Sequence, residues 1–424
     1  MVSTSRRRHA PALAKWTLAL AAALVGSTMI GSSAMRIVSA QGPIKEYALP
    51  AGNPIGITTG SDGNVWFTTS DAELGRITRS GEIVEFTIPQ TPPCTTNCPA
   101  HAVPCAPDCL PQGREITTGP DGNLWFTQPF SDYVARAQIS TNGVSFTEYP
   151  APTGCGGPLR FCLDGITTGP DGNLWFSEPS RHQIGRLTPA SGAIAEFPGA
   201  GFPERITLGP DGNLWFGDPG AGGIGRITIA GLITEFPFPN PELSHGGPAP
   251  NPDGDADAED FYSLDPNGGI AAGSDGNLWA ETAVFWGDVP PSSCPVVTND
   301  DLCSGFGYYL TSQWMLAISP IDGTVEKEFR LPNTQGNPQD LARGSDGNIW
   351  IPMPAAVGPS PWEPSPGMQV SSLSPTGSLT TYATDFPHPY DITAGPHQTM
   401  WFTEQGHIGR IQTCGDDCGP QETN

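Results

Sequence analysis

Short hydrophobic runs of three to five residues recur along the chain, separated by Gly, Pro, Asp and Asn. The pattern is plainest in residues 204–239. Ile206-Thr207-Leu208 predicts a strand A. Pro210-Asp211-Gly212-Asn213 predicts a tight turn, because Asp, Gly and Asn tolerate the positive φ that hairpins require. Leu214-Trp215-Phe216 predicts strand B, and Ile224 to Thr228 predicts strand C. After the Ala230-Gly231 turn, Leu232 to Phe236 predicts strand D. Four short antiparallel strands in succession make one propeller blade.

The unit repeats. Ser/Pro-Asp-Gly-Asn-x-Trp starts at Ser61, Pro120, Pro170, Pro210, Ser274 and Ser345, and a degenerate copy runs from Pro396 to Trp401. Seven copies predict an all-β fold, a seven-bladed β-propeller of four-stranded antiparallel blades; a run of separate small sheets is the alternative. The last copy has A (Asp391 to Ala394), B (Met400 to Thr403) and C (His407 to Gln412), and lacks D. Ile44 to Leu49 resembles the other D strands, so the N-terminal strand is expected to close the last blade. The repeated Trp reads as packing between blades, and Asp-Gly-Asn as turn chemistry.

Composition sharpens this picture. Gly 53 and Pro 47 would suggest low complexity, but Trp 11, Phe 18 and Tyr 8 require a packed interior. The formal charge is −24. Residues 1–40 hold Arg6, Arg7, Arg8, Lys15 and Arg36 and no acid; without those five the charge is −29, and Lys45 and Lys327 are the remaining lysines. Such a surface repels phosphate backbones and excludes nucleic-acid binding. Cations, or neutral and basic small molecules, are the better partners.

The N-terminus reads as a secretory signal peptide, residues 1–40. Arg6 to Lys15 is basic, Trp16 to Ile30 is apolar, and Val38-Ser39-Ala40 offers a cleavage site. An uncleaved anchor is the alternative, and Arg7-Arg8 leaves Sec and twin-arginine export both open. The mature chain, 41–424, is expected to be secreted, monomeric and without a membrane span. Its cysteines fit an oxidising compartment. Cys155/Cys162, Cys294/Cys303 and Cys414/Cys418 can each close a small loop. Cys94, Cys98, Cys105 and Cys109 allow three pairings, or a tetrathiolate zinc site.

Strand alternation assigns each connection to a face. The A–B and C–D turns share the bottom; the D–A and B–C connections share the top. The insertions 90–112, 151–163, 240–267, 284–312 and 352–367 all fall on top, which marks that face and the channel mouth for binding a small molecule, peptide or glycan. Two rings of positions are expected at the mouth. One lies two residues before strand A, and from it Arg114, Asp164, Glu204 and Gln339 are substrate-binding candidates. The other lies three residues after each Trp, and from it Glu178 and Asp218 are metal candidates. Asp253, Asp255 and Asp257 open a loop with the spacing of a calcium site, although Ala258 and Leu264 depart from it. Mg²⁺ or Ca²⁺ are the candidate ions; no organic cofactor is expected.

Gly209-Pro-Asp-Gly-Asn-Leu-Trp-Phe216, followed by Ile224-Gly-Arg-Ile-Thr228 and Gly231-Leu-Ile-Thr-Glu-Phe236, resembles the virginiamycin B lyase (streptogramin B lyase) family in all seven repeats. The resemblance implies Mg²⁺-assisted elimination that opens a cyclic depsipeptide ester, with a histidine base in Pro-His-x-Ile and glutamates close by. This chain has Pro338-Gln339-Asp340-Leu341 and Pro389-Tyr390-Asp391-Ile392 instead. Its nearest histidine is His388, and Glu404 in Trp-Phe-Thr-Glu keeps the family glutamate. His388, Tyr390 and Glu404 are therefore the catalytic candidates. The missing family histidine shifts the expectation toward ligand binding. The alternatives are a lyase of the family type and a metal-dependent lactone hydrolase using Glu178, Glu204 or Asp218.

Overall fold

The computed structural model describes residues 36–39, 44–89, 113–129, 132–141, 143–152, 162–239, 261–265, 269–287, 309–332, 340–353 and 369–413, with 36–39, 261–265, 284–287 and 309–312 as backbone only. The chain divides into Met1–Gly31 and Ser32–Asn424, and the first unit lies outside the described residues. The second holds seven small antiparallel sheets in a ring. The fourth blade shows the unit: A is Ile206–Leu208, B Leu214–Asp218, C Gly223–Ile227 and D Ile233–Pro237, paired in that order. These strands agree with the predicted ones to within two residues at each end.

The ring closes as expected. Lys45–Ala48 pairs antiparallel with strand C of the last blade, His407–Gln412, in the register Lys45↔Arg410 to Ala48↔His407. The inner A strands touch in sequence around the ring, including the last (Ile392–Gly395) against the first (Pro54–Thr59). Two features go beyond the predicted unit. Strands B and C of the fifth blade lengthen into a ribbon, Leu278–Gly287 with Tyr309–Ile318, and Phe261–Asp265 pairs on its far end. Arg36–Ser39 adds a parallel strand outside the sixth blade, alongside Ser378–Ala383.

The core lies in the seams between blades. Trp215 of blade four is fully buried among Ile270, Leu278 and Leu316 of blade five, and Trp401 of the last blade packs with Ile57, Val65 and Phe67 of the first. The turn aspartate also holds the indole. Asp211 Oδ1 accepts from Trp215 Nε1 at 3.0 Å, while its carboxylate accepts from the backbone and side-chain nitrogens of Asn213 at 3.1 and 2.7 Å. In the degenerate copy, Thr399 Oγ1 takes over and accepts from Trp401 Nε1 at 2.9 Å. One turn residue thus fixes both the hairpin and the seam tryptophan.

The strand-C arginine locks neighbouring blades together. Arg226 lies over Trp215 and Phe236, 5.4 and 5.2 Å from their ring centroids, and donates to the carbonyl of Pro320 in the next blade's C–D turn at 3.3 Å. Arg186 and Arg410 repeat the contact on Ile229 and Arg79. Arg226→Ala is expected to lower stability by about 2–4 kcal/mol, the sum of one charge-assisted hydrogen bond and a partly exposed cation–π contact. Urea unfolding of the pair measures it.

Candidate functional site at the channel mouth

Strand A alone borders the channel, and its alternation decides which side chains enter it. The residue just before the strand-A hydrophobe lines the channel cavity at Glu115, Gly165, Arg205, Asp340 and Asp391, and is Gly56 and Gly269 in the other two blades. Three of these are glycine for a steric reason. A Cβ on Gly269 would sit 2.2 Å from the backbone nitrogen of Leu341, and one on Gly56 would sit 2.1 Å from the carbonyl of Arg114. The other four bring charge into a cavity of about 230 Å³, walled below by threonines such as Thr58, Thr167 and Thr207.

Glu115 and Arg205 form an ion pair that spans from blade two to blade four, past Gly165. Asp340 and Asp391, from blades six and seven, hydrogen-bond to each other. Asp391 Oδ2 also accepts from the backbone nitrogen of Ile57 at 2.8 Å, which ties the last blade to the first across the channel rim. Burial pushes Glu115 up to about 8 against the pull of Arg205. Burial and then the adjacent Asp340 hold Asp391 well above the carboxylate range; burial raises Asp340 as well. Burial opposes the charge of Arg205, but Glu115, Asp340, Asp391 and Asp164 outweigh it and raise its pKa. Of the groups lining the cavity, three carboxyls face the one guanidinium of Arg205, with the Arg114 and Asp164 pair acting from just outside, and Asp340 and Asp391 share a proton.

The positions expected at the mouth fall around this set. Arg114 and Asp164 form an ion pair with each other, with side chains 29% and 5% exposed. They do not line the cavity: it is lined one residue later, because a one-residue step in a strand turns the side chain to the other face. Glu204 is half-buried. Gln339, Asp253, Asp255 and Asp257 lie outside the described residues, as do the cysteines other than Cys162, which is buried in the core.

The ring three residues after each Trp turns away from the cavity, and all seven of its members are buried. Strand B sits behind strand A, so these side chains meet the blade seams. Glu178 accepts from Gln183 Nε2 at 2.9 Å, and burial with nearby Glu196 and Asp132 pushes it up to about 7. Asp218 caps a short turn and accepts from the backbone of Gly201, Phe202 and Ala221 at 2.8, 2.6 and 3.1 Å. Its oxygens are thereby committed to backbone. His388 is half-buried with φ 59°, and Tyr390 is 45% exposed. Neither hydrogen-bonds to Glu404, whose charged neighbours are Glu46 and Asp385. Among the described residues, no three His, Cys, Asp or Glu side chains stand so as to hold a metal ion.

Glu115, Asp340 and Asp391 are the residues that sequence reasoning missed. The signal was the alternation itself, read one position too early.

A family model described as the virginiamycin B lyase family matches residues 95–256, which span blades two to four. A streptogramin B lyase structure superposes with a TM-score of 0.59 at 25% identity, covering 87% of this chain and 97% of that one. The chain is a seven-bladed propeller similar to virginiamycin B lyase. A catalytically inactive virginiamycin B lyase from Staphylococcus aureus with quinupristin gives a TM-score of 0.60 at 24% identity, covering 88% and 99% of the two chains. The extracellular domain of a hybrid two-component system from B. thetaiotaomicron shares the fold at 13% identity and a TM-score of 0.53, covering 88% of this chain and 42% of that one. No curated protein matches the chain.

Proposed function

We propose that this propeller is an extracytoplasmic binding protein that takes a cationic group of a small molecule, peptide or glycan into the mouth of its channel. One observation carries the reading: Glu115, Asp340 and Asp391 converge on a cavity of about 230 Å³ that holds a single guanidinium. A cation entering there pairs with these carboxyl groups as they ionise, and the chain's charge of −24 favours its approach. The basic and apolar stretch of residues 1–40 supports export, and the ten cysteines support disulfide pinning of the top loops.

Lyase chemistry is the weaker reading. The resembling family uses Mg²⁺, which would stabilise developing negative charge. The donor set here does not fit it: Glu178 and Asp218 are engaged in seam and turn contacts, and His388 and Tyr390 do not reach Glu404. The chain incubated with a streptogramin B and Mg²⁺ is expected to leave the ring closed; ring-opened product would overturn the binding-only reading.

The binding reading is tested by thermal shift with lysine amide, arginine amide, glutamine amide and glutamate. The two cationic amides are expected to raise Tm, and Asp340→Asn/Asp391→Asn to abolish the rise. Equal stabilisation by glutamate would contradict it.

A further inference from the structure

The strand that closes the ring covers a buried acid with no hydrogen-bond partner. Glu404 ends strand B of the last blade opposite His407, and the closing strand Lys45–Ala48 lies outside that pair. Glu404 is 1% exposed, and neither of its carboxyl oxygens has a hydrogen-bond partner. The nearby Thr384 hydroxyl spends its proton on the carbonyl of Phe386 at 3.0 Å. The charged groups facing Glu404 are Glu46, on the closing strand, and Asp385, just past the outer strand of blade six. Glu46 itself accepts from the backbone nitrogen of Asp385 at 2.9 Å, so the closing strand is anchored to blade six at this point. His407 is the neighbouring basic group; it acts on Glu46, and its ring stacks on Phe386 at 3.4 Å between centroids.

An ionised carboxylate here would have only the Thr384 hydroxyl to draw on, already engaged with Phe386, and would face two like charges, so the protonated acid is the favoured state of the closed ring. We propose that Glu404 is a proton-operated latch on ring closure: the neutral acid lets Lys45–Ala48 seat, and its ionisation loosens that strand. Burial, reinforced by Glu46 and Asp385 and opposed by the Thr384 hydroxyl, pushes Glu404 up to about 8 from an ordinary value of 4.5. With the strand detached, the group returns toward 4.5. Between those two values the closed ring keeps a proton that the opened ring has lost. Closure therefore weakens as pH rises through the window and levels off above it. The latch faces a seam, away from the channel mouth, and does not depend on what the mouth binds.

Hydrogen exchange of the purified chain, corrected for the intrinsic pH dependence of exchange, tests this on peptides covering residues 44–49. Opening of the closing strand is expected to rise up to about tenfold per pH unit across the window. It is expected to stay flat in Glu404→Gln, the neutral isostere, and peptides covering Gly143–Pro150 serve as the internal control. Glu46→Gln, which removes one facing charge, is expected to narrow the window and gives a second variant should the first fold poorly. Protection of 44–49 that ignores pH in the wild type, or a rise that persists in Glu404→Gln, would overturn the proposal.

Discussion

Trp215→Ala is expected to cost about 3–5 kcal/mol, the range for emptying a large aromatic site in a packed core. The residue is fully buried, and four contacts converge on it. Its ring stacks on Phe236 at 5.3 Å between centroids, and Arg226 caps the assembly. Its Nε1 donates to Asp211, and its edge packs on blade five. Alanine leaves a cavity between two sheets that cannot collapse without moving a blade, and it takes the indole donor away from Asp211 Oδ1. Trp215→Phe keeps the stack and loses the hydrogen bond, so a smaller loss is expected. Urea unfolding of the three proteins gives the order.

Gly269→Ala is the second large effect, and it couples fold to site. The added methyl would lie 2.2 Å from the backbone nitrogen of Leu341 and 2.5 Å from the Cα and carbonyl carbon of Asp340. Backbone cannot swing aside as a side chain can, so blades five and six must part. Overpacking of this kind costs about 1–3 kcal/mol, and occasionally more. The displacement falls on Asp340, so binding of cationic amides is expected to weaken even at temperatures where the variant remains folded. Tm and calorimetric titration on one sample separate the two losses.

These two positions also show how far the sequence could be read. The repeat of Trp with Asp-Gly-Asn made the blade count and the ring-closing strand legible, because each copy restates the same packing. The channel charges were legible only to within one residue. Strand A is three residues long in four of the blades, too short for an alternating run to fix its face, and the choice fell on Arg114 and Asp164 instead of Glu115 and Asp340. Glycine at 56, 165 and 269 held the missing clue: it recurs where the next blade's backbone comes too close for a side chain. Glu404 was legible as a special residue but not as a buried one, since its surroundings come from Glu46 and Asp385, hundreds and tens of residues away in the chain. The fifth-blade ribbon and the strand Arg36–Ser39 had no repeat to announce them.

The central claim is that the carboxyl groups at the channel mouth take a cationic group. Calorimetric titration of lysine amide into the wild type and into Asp340→Asn/Asp391→Asn, at pH 6 and pH 8, tests it most directly. Burial raises Glu115, Asp340 and Asp391 above their ordinary values, Glu115 to about 8 and Asp391 well above, so they lose protons as pH rises and the cation binds more tightly. The account predicts binding to the wild type that is stronger at pH 8 than at pH 6, and none to the double variant. Equal affinity in both proteins, or wild-type binding that weakens at pH 8, would contradict it.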